Sequence, residues 1–167
     1  MHFFRYRNGE LFAEDVPIKK VAETYGTPLY IYSYKTLLRH FMAYDDAFEG
    51  VDHIICFALK ANSNSAILRL FAKHGGGADV VSGGEVFRAL KAGIPSRKIV
   101  YAGVGKTEEE IAYALKSRIL MFNVESEQEL MEIDRVARTL KVKAPVALRV
   151  GSQSPELPAG PQGHRRP

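Results

Sequence analysis

Two rhythms of apolar and polar positions alternate along most of the chain. Short apolar runs at 54–59, 78–81, 99–102, 120–124 and 146–150 are bounded by turn-prone residues and read as strands. The first run has no polar alternation and reads as a strand buried on both faces, the habit of parallel sheets. Between the runs lie apolar stripes at helical spacing: Ile67, Leu68, Phe71 and Ala72; Val86, Phe87 and Leu90; Ile111, Ala114 and Leu115; Leu130, Ile133, Ala137 and Leu140. Three of these helices open on the same pattern, Ser82-x-x-Glu85, Thr107-x-x-Glu110 and Ser126-x-x-Glu129. Each predicts a capping box, in which the hydroxyl and the glutamate satisfy orphan N–H groups reciprocally.

Strand, capped helix, strand is the signature of parallel βαβ units, so the fold class is α/β. Upstream, residues 3–12 predict a hairpin turning at Asn8-Gly9. Pro17 opens a short helix that Gly26 closes, and Thr27-Pro28 leads into a predicted strand at 29–32. From Ser33 a helix carries Leu37, Phe41, Tyr44 and Phe48 on one face, with Leu38 and Met42 beside them. The chain therefore divides into an N-terminal strand/helix segment at 1–32, a βα series at 33–150 and a tail at 151–167.

Strand starts lie roughly 20–25 residues apart, near the spacing of an eightfold (β/α)8 TIM-type barrel, which five strands do not close. Two architectures fit, a small open sheet or the first part of a barrel. The tail, with four prolines, three glycines and no periodicity, is expected to be disordered. Its abrupt start after an apolar run favours a barrel truncated after about its fifth strand, with a broken reading frame or a bad gene end as the reading rather than a natural terminus.

Composition narrows the function. The 167 residues fit one domain, and a net charge of +4, dispersed along the chain, argues against a nucleic-acid partner. No segment approaches the length of a membrane span, and no signal peptide is recognisable. The single cysteine, Cys56, excludes an internal disulfide and reads as a small core residue, so the expected location is cytoplasmic. His40 and His53 stand alone, and no zinc spacing is present. Gly105-Lys106-Thr107 imitates a phosphate loop, but Val100 occupies the place of the required glycine and Glu108-Glu109-Glu110 would repel a polyphosphate. Those glutamates suit a helix N-terminus instead.

Three residues carry candidate chemistry. Lys60 follows the first strand of the series, at the end where α/β folds place ligands. An amine half out of water there is suited to Schiff-base chemistry; the alternative is a lysine that merely snorkels off a strand end. Asp79 lies in an apolar strand and needs a partner, a protein cation or a ligand. Ser82-Gly83-Gly84 after it admits either close approach to a ligand or a tight turn. Arg149, inside the last apolar run, wants an anionic or planar partner, with an internal ion pair as the plainer reading.

The motifs Phe57-Ala58-Leu59-Lys60-Ala61-Asn62, Gly77-Ala78-Asp79-Val80-Val81-Ser82-Gly83-Gly84-Glu85, Tyr101-Ala102-Gly103-Val104-Gly105-Lys106 and Phe122-Asn123-Val124-Glu125-Ser126 resemble the diaminopimelate decarboxylases. These are members of the alanine-racemase-like barrel class of pyridoxal phosphate (PLP) enzymes, and the resemblance runs from about residue 10 to Val150. It implies that Lys60 bonds covalently to PLP and that Asp79, Arg149 and Ala58 line the cofactor pocket. It implies decarboxylation of a small amino-acid substrate, meso-diaminopimelate, to L-lysine by a homodimer, with no nucleic-acid or membrane partner. Other barrel-class PLP enzymes, ornithine/arginine-type decarboxylases or amino-acid racemases, and a non-catalytic PLP-binding fragment are the alternatives. The family's later strands, phosphate loop and β-domain do not follow Val150, so the chain alone is expected to be inactive. The hairpin that normally packs on the β-domain is expected to be exposed.

Overall fold

The computed structural model describes residues 2–150; the predicted tail at 151–167 lies outside the described residues. Asn8 and Gly9 both take positive φ, so the two-residue turn matches the twist of the strands it joins, β1 (Phe4–Arg7) and β2 (Glu10–Ala13). A short β3 (Val16–Pro17), not foreseen, completes a three-stranded antiparallel sheet. Pro17 caps α1 (Ile18–Tyr25), whose missing donor costs nothing at a helix start, and Gly26 ends it at positive φ. The strand expected at 29–32 does not form. Tyr30 and Tyr32 are exposed, and no described strand pairs with this segment.

Helix α2 (Tyr34–Ala47) starts at Ser33, whose side chain accepts from the Thr36 N–H. Its predicted stripe is half correct. Phe41 is buried, whereas Tyr44 and Phe48 stay exposed.

The remaining elements alternate as expected: β4 (Cys56–Ala58), α3 (Ser65–Lys73), β5 (Gly77–Val80), α4 (Gly83–Lys91), β6 (Ile99–Tyr101), α5 (Glu108–Ser117), β7 (Met121–Val124), α6 (Glu127–Leu140) and β8 (Val146–Leu148). The five strands pair in parallel in sequence order, leaving β4 and β8 at the edges. Register fixes which face each side chain takes. Ala58 pairs with Asp79, Asp79 with Val100, and Asn123 with Ala147, so these positions share one face. On the other face Ala78, Val80, Ile99, Tyr101, Phe122 and Val124 are buried under the helices with Leu68, Val86, Ile111 and Ile133. The expectation that the 54–59 run is buried on both faces fails. Only its helix-side face is covered, with Phe57 stacked on Phe71 at 4.4 Å. Close pairing with β5 needs Gly77, where a Cβ would collide with the Lys98 carbonyl and come within 2.8 Å of the Cys56 sulfur.

Of the three predicted capping boxes, only that of α5 is reciprocal. In α4 and α6 the serine accepts from the third helical N–H, but the glutamate reaches one residue further back. Glu85 accepts from the Val81 N–H at 2.8 Å and Glu129 from the Glu125 N–H at 2.9 Å. The second Glu129 oxygen pairs with Lys106, whose amine also donates to the carbonyls of Gly103 (2.6 Å) and Asn123 (3.1 Å). With Lys106 only 1% and Glu129 10% exposed, this is a buried, fully bonded pair tying the β6–α5 connection to β7 and α6. Removing one partner strands the other charge, so Glu129→Ala should cost about 3 kcal/mol in urea unfolding. The double change Lys106→Met with Glu129→Leu should cost less than half of that. Equal losses would show that the pair is not the brace.

Candidate active site

The inward-facing positions of the parallel sheet leave a cleft of about 630 Å³ lined by Lys60, Asp79, Asn123, Glu125 and Arg149, with Cys56 at its wall. Lys60 sits two residues beyond the Ala58–Asp79 pair. The Leu59 N–H donates to the Asp79 carbonyl (3.0 Å) and the Ala61 N–H to the Ala58 carbonyl (3.1 Å), closing a turn that presents the Lys60 amine. Lys60 itself is exposed. The partial desolvation expected of it is not supplied by the described residues, because the concave face is open.

Asp79 is the anomaly. Its Oδ1 is buried and has no hydrogen-bond partner. Burial raises its pKa above the ordinary carboxylate range, opposed by the nearby charges of Lys60 and Arg149. Neither cation bonds to it. Arg149 instead lies 3.5 Å from the Glu125 carboxylate and is 66% exposed, so the buried arginine expected from the apolar run is corrected: β8 is an edge strand, and its last residues are uncovered.

Ala58 is absent from the cleft lining. It borders a separate apolar groove along the free edge of β4 and contributes to the cleft only through its carbonyl in the Lys60 turn. Cys56, expected in the core, is half-buried at the cleft wall, and burial pushes its thiol pKa up. Ser82-Gly83-Gly84 is a tight turn, because the Gly83 N–H is taken by Glu110 at 2.7 Å. Burial alone would raise the Glu110 carboxyl, but N–H donation from Gly83 and Thr107 holds it below its ordinary range.

Asn123 and Glu125 were not singled out by sequence, although Phe122-Asn123-Val124-Glu125 alternates with period two and so puts both on the concave face. Glu125 also accepts from the N–H of Gly103 at 3.1 Å, where φ is +92°. The arrangement offers a primary amine free to attack a carbonyl, a carboxylate lacking a partner, and a guanidinium on the opposite wall. Those groups suit a carbonyl compound that also carries charged or polar groups, and the cleft has room for one.

A family model described as "Pyridoxal-dependent decarboxylase, pyridoxal binding domain" matches residues 34–159. The chain belongs to this family. Among curated relatives, a diaminopimelate decarboxylase of Aquifex aeolicus is 53% identical over 148 residues, covering 89% of this chain and 35% of the relative. One from Haemophilus influenzae is 49% identical over 150 residues, covering 90% and 36%. A solved diaminopimelate decarboxylase from M. jannaschii, in complex with L-lysine, superposes with TM-score 0.83 at 40% identity, over 87% of this chain and 35% of that one. The Helicobacter pylori enzyme complexed with L-lysine gives 0.77 at 47% identity, over 80% and 34%. The chain thus spans about a third of the length of the relatives it matches, and its five parallel strands with four intervening helices form a partial barrel of their type. PLP is the cofactor of this family. The free Lys60 amine and the orphaned Asp79 oxygen fit it, since one needs a carbonyl and the other a cationic or hydrogen-bond-donating neighbour.

The Asp79 shift has a sign that can be tested. A carboxyl whose folded pKa is raised contributes stability below its unfolded pKa and loses it as pH rises through the folded value. Asp79→Asn should therefore stabilise the cofactor-free chain at pH 7 by about 1 kcal/mol, with the gap closing towards pH 4. Thermal melts across that range check it; a gap independent of pH would contradict the assignment.

Proposed function

We propose that this chain carries the lysine-bearing wall of a diaminopimelate decarboxylase, with Lys60 as the residue that bonds to PLP. The observation that carries the reading is the cleft itself: a strand-end amine sharing its lining with a half-buried carboxylate whose buried Oδ1 has no hydrogen-bond partner. The names of the relatives support the substrate, meso-diaminopimelate, and the L-lysine in two solved neighbours suits the product.

When bound, PLP supplies a sink for the electron pair left as carbon dioxide departs from an amino acid. The chain's own residues act around that chemistry. The Leu59 and Ala61 hydrogen bonds hold Lys60 at a fixed strand end, which lowers the entropy cost of bringing its amine to a carbonyl. Asp79, its pKa raised by burial and opposed by the charges of Lys60 and Arg149, would supply a hydrogen-bonding group on the wall beside the lysine. Glu125 holds Arg149 on the far wall, where a guanidinium suits a substrate carboxylate.

Residues 33–150 form the cofactor-binding unit and 1–32 a separate segment, a division supported by the two distinct sheets and by the family match beginning at residue 34. The setting is cytoplasmic and the acting form a homodimer, with no nucleic-acid or membrane partner. Among the described residues no helix is long and apolar enough to cross a membrane.

The test is PLP loading of the purified chain, borohydride reduction and peptide mass mapping. Lys60 should take the label selectively, and Lys60→Ala should lose at least about nine-tenths of it. Label spread over other lysines and unchanged in Lys60→Ala would overturn the assignment.

A further inference from the structure

A second concave site lies at the end of the sheet where the parallel strands begin, away from Lys60. Arg97 from the turn before β6, Lys116 and Arg118 from the end of α5, and Lys143 from the connection into β8 line a depression of about 370 Å³. It is centred on the start of β7, a strand paired on both sides. The lining holds no carboxylate, and its buried Leu115 and Ile119 are apolar. Among the described residues none of the four cations has an acidic or hydrogen-bonding partner for its side chain. The arginines of α6 are neutralised by contrast, Arg135 by Glu108 and Glu132 and Arg138 by Asp134.

The negative end of the α5 dipole accounts for Lys116 and Arg118 taken alone. It does not account for Arg97 and Lys143, which reach the same depression from two other connections. Nor does it explain the residue type at 118. Arg118 takes φ +57° and ψ +50° at the end of α5, and the Ile119 N–H reaches back to the Ala114 carbonyl at 3.4 Å. Glycine is the favoured residue at such a left-handed cap, and a side chain there strains the backbone. An arginine held at that cost, among other cations that repel it, has a use only if an anion joins them.

We propose that this depression binds a small molecule carrying two or more phosphate groups. Arg97 and Arg118 grip phosphate oxygens with paired N–H donors, and Lys116 and Lys143 add compact charges. Four cations exceed what one phosphate neutralises. Leu115 and Ile119 take an uncharged part of the ligand. The inference is independent of the cleft and of its cofactor.

The test is calorimetric titration of the PLP-free chain with inorganic pyrophosphate and with orthophosphate, the site being located by amide chemical shifts. Pyrophosphate should bind once per chain and shift the amides of Arg97, Lys116, Arg118 and Lys143, leaving those of Lys60 and Arg149 in place. Orthophosphate should bind at least about tenfold more weakly, as should pyrophosphate to Arg97→Gln and to Arg118→Gly. Arg118→Gly should also melt at a higher temperature than the parent, because it relieves the cap while removing the ligand contact. Lys91→Gln, an exposed cation on α4, should bind like the parent. No binding at millimolar pyrophosphate, shifts confined to the Lys60 cleft, or equal affinity for orthophosphate would each overturn the proposal. So would a loss in Lys91→Gln as large as in Arg97→Gln, or an Arg118→Gly chain that melts lower than the parent, its weaker binding then following from lost structure.

Discussion

In-phase pairing of parallel strands is the constraint on which the site depends. Because side chains alternate across a strand, one register decides at every position between the helix-packed face and the cleft. Ala78 and Val80 go under the helices, and Asp79 between them goes to the cleft. A slip of one residue would bury the carboxylate beneath α4 and expose two core residues. Lys60, Asp79, Asn123 and Arg149 come from four strands, yet meet because parallel strands finish at the same end of the sheet.

Glutamates at the helix starts hold that end together. Glu85, Glu110 and Glu129 each accept a backbone N–H from a strand-to-helix connection, and Glu110 reaches across to the neighbouring one at Gly83. Glu129 also bonds the buried Lys106, and the N–H it grips belongs to Glu125, the partner of Arg149. The wall opposite Lys60 is thus fastened by charges that are themselves satisfied. Asp79 differs in kind: its need is left open by the protein, which is why it points to a ligand.

The parallel series was legible because five apolar runs and four amphipathic stripes have different periods, and the convergence of Lys60, Asp79 and Arg149 followed from strand order alone. What failed had tertiary causes. The 29–32 segment alternates like a strand but has no described neighbour to pair with, and Arg149 reads as buried although its strand lies at an edge. Lys106 could be dismissed as a phosphate-loop residue from spacing, but its structural role could not be read, since its partners come from β7 and α6. Asn123 and Glu125 were accessible to a period-two reading, yet polar residues in a strand are usually solvated rather than turned into a cleft. The cofactor came from the resemblance of motifs, since an amine and a carboxylate alone specify no particular carbonyl compound.

The most direct measurement is a crystal structure of the chain loaded with PLP. The account predicts continuous density from the Lys60 nitrogen into the cleft walled by Asp79 and Asn123, with the orphaned Asp79 oxygen gaining a partner. Density for the cofactor elsewhere, or an unmodified Lys60 beside a still unpartnered Asp79, would contradict it.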